Sequence, residues 1–152
     1  MAKTPGSNQD GIHALDFGQL TDLVGYRLRK AQIAAYQAFM TGRDAPGLTP
    51  GQVGVLILID RNPALTQQAL SYGIGVDKST LVATLDRLSE RGLIRRVRSS
   101  VDRRQNELRL TPKGQRTLTE ALAYIDQHER ALTARLSDDE RATLLALLHK
   151  IG

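Results

Sequence analysis

The chain of 152 residues contains no cysteine and no tryptophan, and it holds only 2 phenylalanines, 4 tyrosines and 3 histidines. Without cysteine there is no disulfide, no thiolate metal site and no thiol with which to sense an oxidant. The histidines, His13, His128 and His149, fall in no metal-ligand spacing such as H-E-x-x-H. His128 and Glu129 are neighbours, and adjacent side chains on a helix diverge by about 100°. Gly73-Ile74-Gly75 is too short to cradle a phosphate in the way of a glycine-rich loop. An enzyme is therefore not expected, nor a cofactor or a bound metal. Long apolar runs are missing too: the longest, Val53 to Ile59, is far too short to cross a bilayer. Met1 to Asp10 is polar and lacks the apolar core of a secretion signal, so a cytoplasmic protein is expected.

What is present is ordinary in amount and uneven in placement. Hydrophobic content of 41% and charged content of 24% suit a soluble chain that buries one real core. The net charge of +5 is concentrated: Arg95, Arg96, Arg98, Arg103 and Arg104 stand against Asp102 alone, a local excess of four. This cluster spans the first of two short runs of strand formers, Leu93 to Arg98, and the loop that leads to the second, Asn106 to Thr111. In the second run Leu108 and Leu110 alternate with Glu107 and Arg109, as in a half-exposed strand. The spacing predicts a β-hairpin with a cationic tip, suited to phosphate and minor-groove contact.

Immediately before it, the helix signals come in pairs. Thr66 caps a helix that runs to about Ile74, where Gly75 permits a left-handed stop. Asp77 caps a second helix on which Leu81, Leu85 and Leu88 share one face, while Ser79, Ala83, Asp86 and Glu90 face the other way. Lys78, Ser79 and Thr80 at its start either meet a phosphate at the positive end of the helix or serve only to complete the cap. Val82 and Ala83 offer no bidentate base contact; either they touch thymine methyl groups or Val82 packs beneath the hairpin. With Arg87, Arg98, Arg103 and Arg104, these residues form the candidate DNA-binding set.

Longer helices flank this device. Phe17, Leu20, Val24, Leu28, Ala31, Ala35 and Phe39 make one stripe of a helix predicted over about Phe17 to Thr41, and Tyr26, Ile33, Tyr36 and Met40 lie across from it. Thr49-Pro50-Gly51-Gln52 opens a buried helix to about Ile59, ended by Asn62-Pro63. Pro112 starts another after Thr111, with Leu118, Leu122, Ile125, Leu132 and Leu136 as its stripe, and Ser137 to Glu140 cap the last. In that last helix Leu144, Leu145, Leu147, Leu148 and Ile151 need a second surface to cover them, and a two-fold mate is the commonest.

Taken in order, Leu48-Thr49-Pro50, Leu65-Thr66-Gln67, Asp77-Lys78-Ser79-Thr80, Asp86-Arg87-Leu88, Glu90-Arg91-Gly92-Leu93-Ile94, Asp102-Arg103-Arg104 and Leu110-Thr111-Pro112-Lys113-Gly114 resemble the MarR family of winged-helix regulators. The resemblance implies a mainly α fold with a small β-hairpin wing, a winged helix-turn-helix forming a MarR-like dimer. It implies one domain over residues 1–152, with about 12–45 and 112–152 as dimerisation helices and about 48–111 as the DNA-binding part. It further implies a homodimeric repressor of a palindromic operator in double-stranded DNA, released by a small molecule, with Arg104 entering the minor groove and Asp102 orienting the wing.

Gly25 to Gln32 also resembles the first helix of MarR-like regulators of hydroxycinnamate and related aromatic-acid catabolism, whose effectors include coenzyme A thioesters. That implies an anionic aromatic effector or its CoA thioester, with His13, Tyr26, Arg27, Arg29, Ile33, Tyr36 and Met40 as the candidate site. The alternatives are that Tyr26 and Ile33 pack in a dimer interface with the arginines solvated, and that the protein is an architectural DNA-binding protein with no effector.

Overall fold

The computed structural model describes residues 15–99 and 105–152. Among these, the elements are a turn of 3-10 helix at Gly18–Asp22, then α1 (Val24–Thr41), α2 (Pro50–Arg61), α3 (Gln67–Ile74), α4 (Lys78–Glu90), β1 (Ile94–Arg98), β2 (Asn106–Leu110), α5 (Pro112–Leu132) and α6 (Asp138–Ile151). The chain is mainly α with one two-stranded antiparallel hairpin, a winged helix-turn-helix. It divides into two compact units, Met1–Ala34 and Ala35–Gly152.

In the first unit the helix expected from Phe17 is interrupted. Leu23 is extended, with φ −82° and ψ 122°, so α1 starts only at Val24. The cause is local: Asp16 accepts a bond from the Gly18 amide at 2.9 Å, and Gly18 takes a positive φ that starts the tight turn. Arg27 then donates to the Thr21 carbonyl at 2.6 Å and fastens the turn to the helix. Phe17 consequently leaves the stripe and lies beside Tyr26, ring centroids 6.2 Å apart.

In the second unit the helix starts follow the caps. Thr49 and Gln52 form a reciprocal capping box on α2, with Pro50 in the first turn, and Ser137 and Glu140 do the same on α6. Thr66, Asp77 and Thr111 each accept an amide three residues ahead, at the starts of α3, α4 and α5. Gly75 ends α3 with φ 62°, which only glycine adopts at little cost.

β1 and β2 pair from Ile94↔Leu110 to Arg98↔Asn106. The other edge of β2 is also used: the Leu108 amide donates to the Leu65 carbonyl at 2.8 Å, and Thr66 bridges to Glu107. This corrects the expected alternation, because Glu107 is buried beside Leu108 and its carboxylate accepts a bond from Arg109 at 2.8 Å.

The core lies where α2, α4, the hairpin and α5 converge. Val53, Leu56, Leu81, Leu85, Leu88, Leu93, Leu108 and Leu118 are all essentially inaccessible, each worth about 1.5–3 kcal/mol of burial. The buried face of α5 is Gly114, Leu118, Ala121 and Tyr124. The expected stripe is thus corrected, since Leu122, Leu132 and Leu136 are exposed. Small residues decide this face: a Cβ on Gly114 would overlap the Leu93 carbonyl oxygen. Further along, the Tyr124 hydroxyl donates to the Phe39 carbonyl at 2.6 Å, with the Phe39 ring edge-on to Tyr124. On α6 the leucines and Ile151 are exposed in the single chain.

Candidate nucleic-acid interface

The first turn of α4 is organised by Asp77. Its Oδ1 accepts from the Thr80 amide at 2.9 Å and from the Ser79 hydroxyl. These bonds, from the Ser79 side chain first and then from Thr80, hold the Asp77 carboxyl well below the usual carboxylate range. Ser79 and Thr80 therefore do complete the cap. The Ser79 oxygen still has a lone pair to offer, and Lys78 beside it is exposed.

Along α4, Ala83 and Arg87 are exposed and Val82 is half-buried. Asp86 is partly covered because Arg96 of β1 donates to it at 2.7 Å. That pair was not singled out in the sequence, where the two residues are ten positions apart on different elements. Arg98 at the end of β1 is exposed. Asp102, Arg103 and Arg104 lie outside the described residues, and so does His13.

Two concavities border this surface. One, about 520 Å³, is lined by Gln67, Gln68, Ser71, Tyr72, Lys78 and Leu81. The other, about 240 Å³, lies between the start of α3 and the hairpin and includes Gln67, Gln68, Arg96 and Asn106. Gln67 and Gln68 form the ridge between them, and Tyr72 is 81% exposed. Sequence reasoning assigned none of these three to the interface. The amide pair directly after the Thr66 cap was the available signal, since amides at a helix start on a DNA-facing motif can meet phosphate or adenine.

A third groove, about 520 Å³, runs between α2 and α4 with Tyr36 in its wall. Tyr36 is thus the one candidate effector residue of the second unit placed in a cavity wall; Met40 is exposed and does not line it. Tyr26, Arg27, Arg29 and Ile33 belong to the first unit. The groove's other walls include Gln52, Gly54, Val55, Thr80 and Thr84, which sequence reasoning did not assign to an effector. Among the described residues no group of acidic or histidine side chains could hold a metal ion, and no helix is long and apolar enough to cross a membrane.

Residues 47–105 match the model of the MarR family. Over 146 residues, 95% of this chain and 87% of the relative, the chain is 39% identical to a Thauera aromatica protein named for transcriptional regulation of the hcr operon. The transcriptional repressor CouR bound to a 23-mer DNA duplex superposes with a TM-score of 0.84 and 39% identity, covering 91% of this chain and 99% of that one. CouR bound to p-coumaroyl-CoA superposes equally, TM-score 0.84 at 38% identity, covering 91% and 97%.

Proposed function

Because the chain belongs to the MarR family of transcription regulators, we propose that it acts as a homodimeric repressor of a palindromic operator, released by a small aromatic acid or its CoA thioester. In this reading the protein is one MarR-like domain whose outer helices dimerise around the winged part. Lys78, Ser79, Thr80 and Arg87 face the major groove and its phosphates, Val82 and Ala83 make apolar base contacts, and Arg98, Arg103 and Arg104 serve the backbone and minor groove, with Asp102 orienting the wing. Two-fold symmetry sets the two α4 helices about 34–36 Å apart, one turn of B-DNA.

The observation that carries the reading is shared wall. Thr80 and Thr84 of α4 line the groove below Tyr36, so the helix assigned to DNA also bounds a cavity of ligand size. An effector there changes the position of α4 directly, and its coupling to DNA is about 1–3 kcal/mol in typical cases. This favours a switched repressor over an effector-independent architectural protein. The solved neighbour CouR occurs both with DNA and with p-coumaroyl-CoA, which supports both partners for this chain. Tyr26, Arg27, Arg29, Ile33, Tyr36, Met40 and His13 remain the α1-side effector candidates, the basic groups for anionic parts and the rings for an aromatic body.

The test is a duplex from the protein's own promoter, titrated in dilute buffer, followed by aromatic acids and their CoA thioesters. Binding as a dimer and release by one of these compounds are expected. Tight binding that none of them weakens would favour the architectural reading.

A further inference from the structure

We propose that the concavity between α3 and α4 seats a phosphodiester of the operator backbone, with the Tyr72 hydroxyl and the Lys78 ammonium on the same phosphate; this rests on the DNA-binding reading above. Gln67, Gln68, Ser71 and Tyr72 stand at positions i, i+1, i+4 and i+5 of α3 and so share one face. Lys78 and Leu81 of α4 line the same space, about 520 Å³.

Tyr72 has no part in the core. At 81% it is the most exposed large apolar or aromatic side chain among the described residues, whereas Leu70 is the buried residue of α3. A tyrosine so placed has only two χ angles to fix and presents a hydroxyl at the end of a rigid ring.

Its neighbours decide what that hydroxyl meets. The hydroxyls of Ser71 and Tyr72 and the amides of Gln67 and Gln68 can donate or accept, so they suit either kind of partner. Lys78 breaks the tie, because an ammonium only donates and its charge favours an anion. Leu81 adds an apolar wall against which a sugar can rest. An anion with a sugar attached is what a nucleic-acid backbone presents.

The tip of α4 directs the phosphate to this side. Asp77 Oδ1 accepts from the Thr80 amide and the Ser79 hydroxyl, and these bonds keep the carboxyl ionised at neutral pH. A phosphate placed directly on that helix end would meet a carboxylate, and the Ser79 proton is already spent. Lys78, one residue on, lines the space shared with α3. The backbone is therefore held beside the helix end and not over it.

The test uses the full-length protein and a duplex from its own promoter. Tyr72→Phe, which removes one oxygen from an exposed site, is expected to weaken binding about fivefold at an unchanged melting temperature. Because the two contacts share one phosphate, Tyr72→Phe should cost less in a Lys78→Ala background than in wild type, by about threefold. A methylphosphonate is then walked along the duplex, one linkage at a time. At one linkage per half-site it is expected to weaken wild type about tenfold, and the Tyr72→Phe, Lys78→Ala double variant by less than about twofold. Every linkage acting alike on both proteins would overturn the shared phosphate. Tyr72→Phe binding as tightly as wild type would overturn the hydroxyl contact. Failure of the wild-type protein to bind the duplex at all would overturn the DNA-binding reading itself.

Discussion

Arg96 of β1 donates to Asp86 of α4 at 2.7 Å, so the first strand of the wing is tied by a side chain to the helix assigned to the major groove. Both side chains are partly exposed, 35% and 49% respectively, and such a pair contributes only about 0–1 kcal/mol to stability. Asp86→Ala should therefore lower the melting temperature by no more than a few degrees. Its effect on DNA sets two causes against each other. Loss of a negative charge favours binding, and loss of the tie frees the wing from the helix. We expect the second to win, with DNA affinity lower by about threefold to tenfold in a duplex titration. Tighter binding by the variant would sink the positioning role.

Lys78 and Arg104 should differ in kind. With Lys78 on a phosphate as proposed, Lys78→Ala is expected to reduce the slope of log affinity against log salt by about 1, uniformly across operator variants. Arg104→Ala should also flatten the slope, and in addition erase a preference for A/T pairs at the wing position. The readout is a set of salt titrations on operators with A/T or G/C at that site. Equal behaviour of the two variants would remove Arg104 from the minor groove.

Asp77 links stability to pH. Its folded pKa is depressed below the ordinary value of 3.8 by the Ser79 and Thr80 bonds. A depressed carboxyl contributes stability above its unfolded pKa and loses it as pH falls towards the folded one. Asp77→Ala should consequently be less stable than wild type by a constant amount above about pH 5, and the gap should narrow below 3.8. Denaturant melts across that range would show it; a gap that widens on acidification contradicts the cap.

Caps and turns were legible because their chemistry is local. Thr49, Thr66, Asp77, Thr111 and Ser137 each needed only an amide three residues ahead, and Gly75 only its own freedom at positive φ. What depends on distant partners was not. The buried face of α5 is set by how closely Gly114 approaches Leu93, which no count of leucines reveals. Glu107 is buried on a strand whose outer edge pairs with the distant Leu65 and Thr66. The groove under Tyr36 is a gap between helices, and its walls, Gly54 and Thr84 among them, carry no signal in sequence.

Gly114 gives a sharp packing test. Because the atom in the way is backbone, the Leu93 carbonyl oxygen, a methyl group cannot be relieved by a rotamer change. Gly114→Ala improves helix propensity yet should destabilise the fold by about 1–3 kcal/mol through overpacking. A variant at least as stable as wild type would mean that α5 can slide away from the hairpin.

The outer face of α6 decides the assembly. Leu144, Leu147, Leu148 and Ile151 fall on one face of the helix and are all exposed in the single chain, whereas Leu145 points about 100° away. Leu147 is 52% exposed. If the chain is monomeric, Leu147→Glu replaces one solvated side chain by another and changes stability by less than about 0.5 kcal/mol. If this face meets a two-fold mate, each dimer must bury two unpaired carboxylates, at a cost of several kcal/mol or about 100-fold or more in the dimer dissociation constant. Sedimentation equilibrium at micromolar concentration separates the two. We expect wild type to be dimeric and the variant to dissociate, losing operator affinity with it because half-sites one turn apart need both α4 helices. A Leu147→Glu protein that stays dimeric would move the interface off α6.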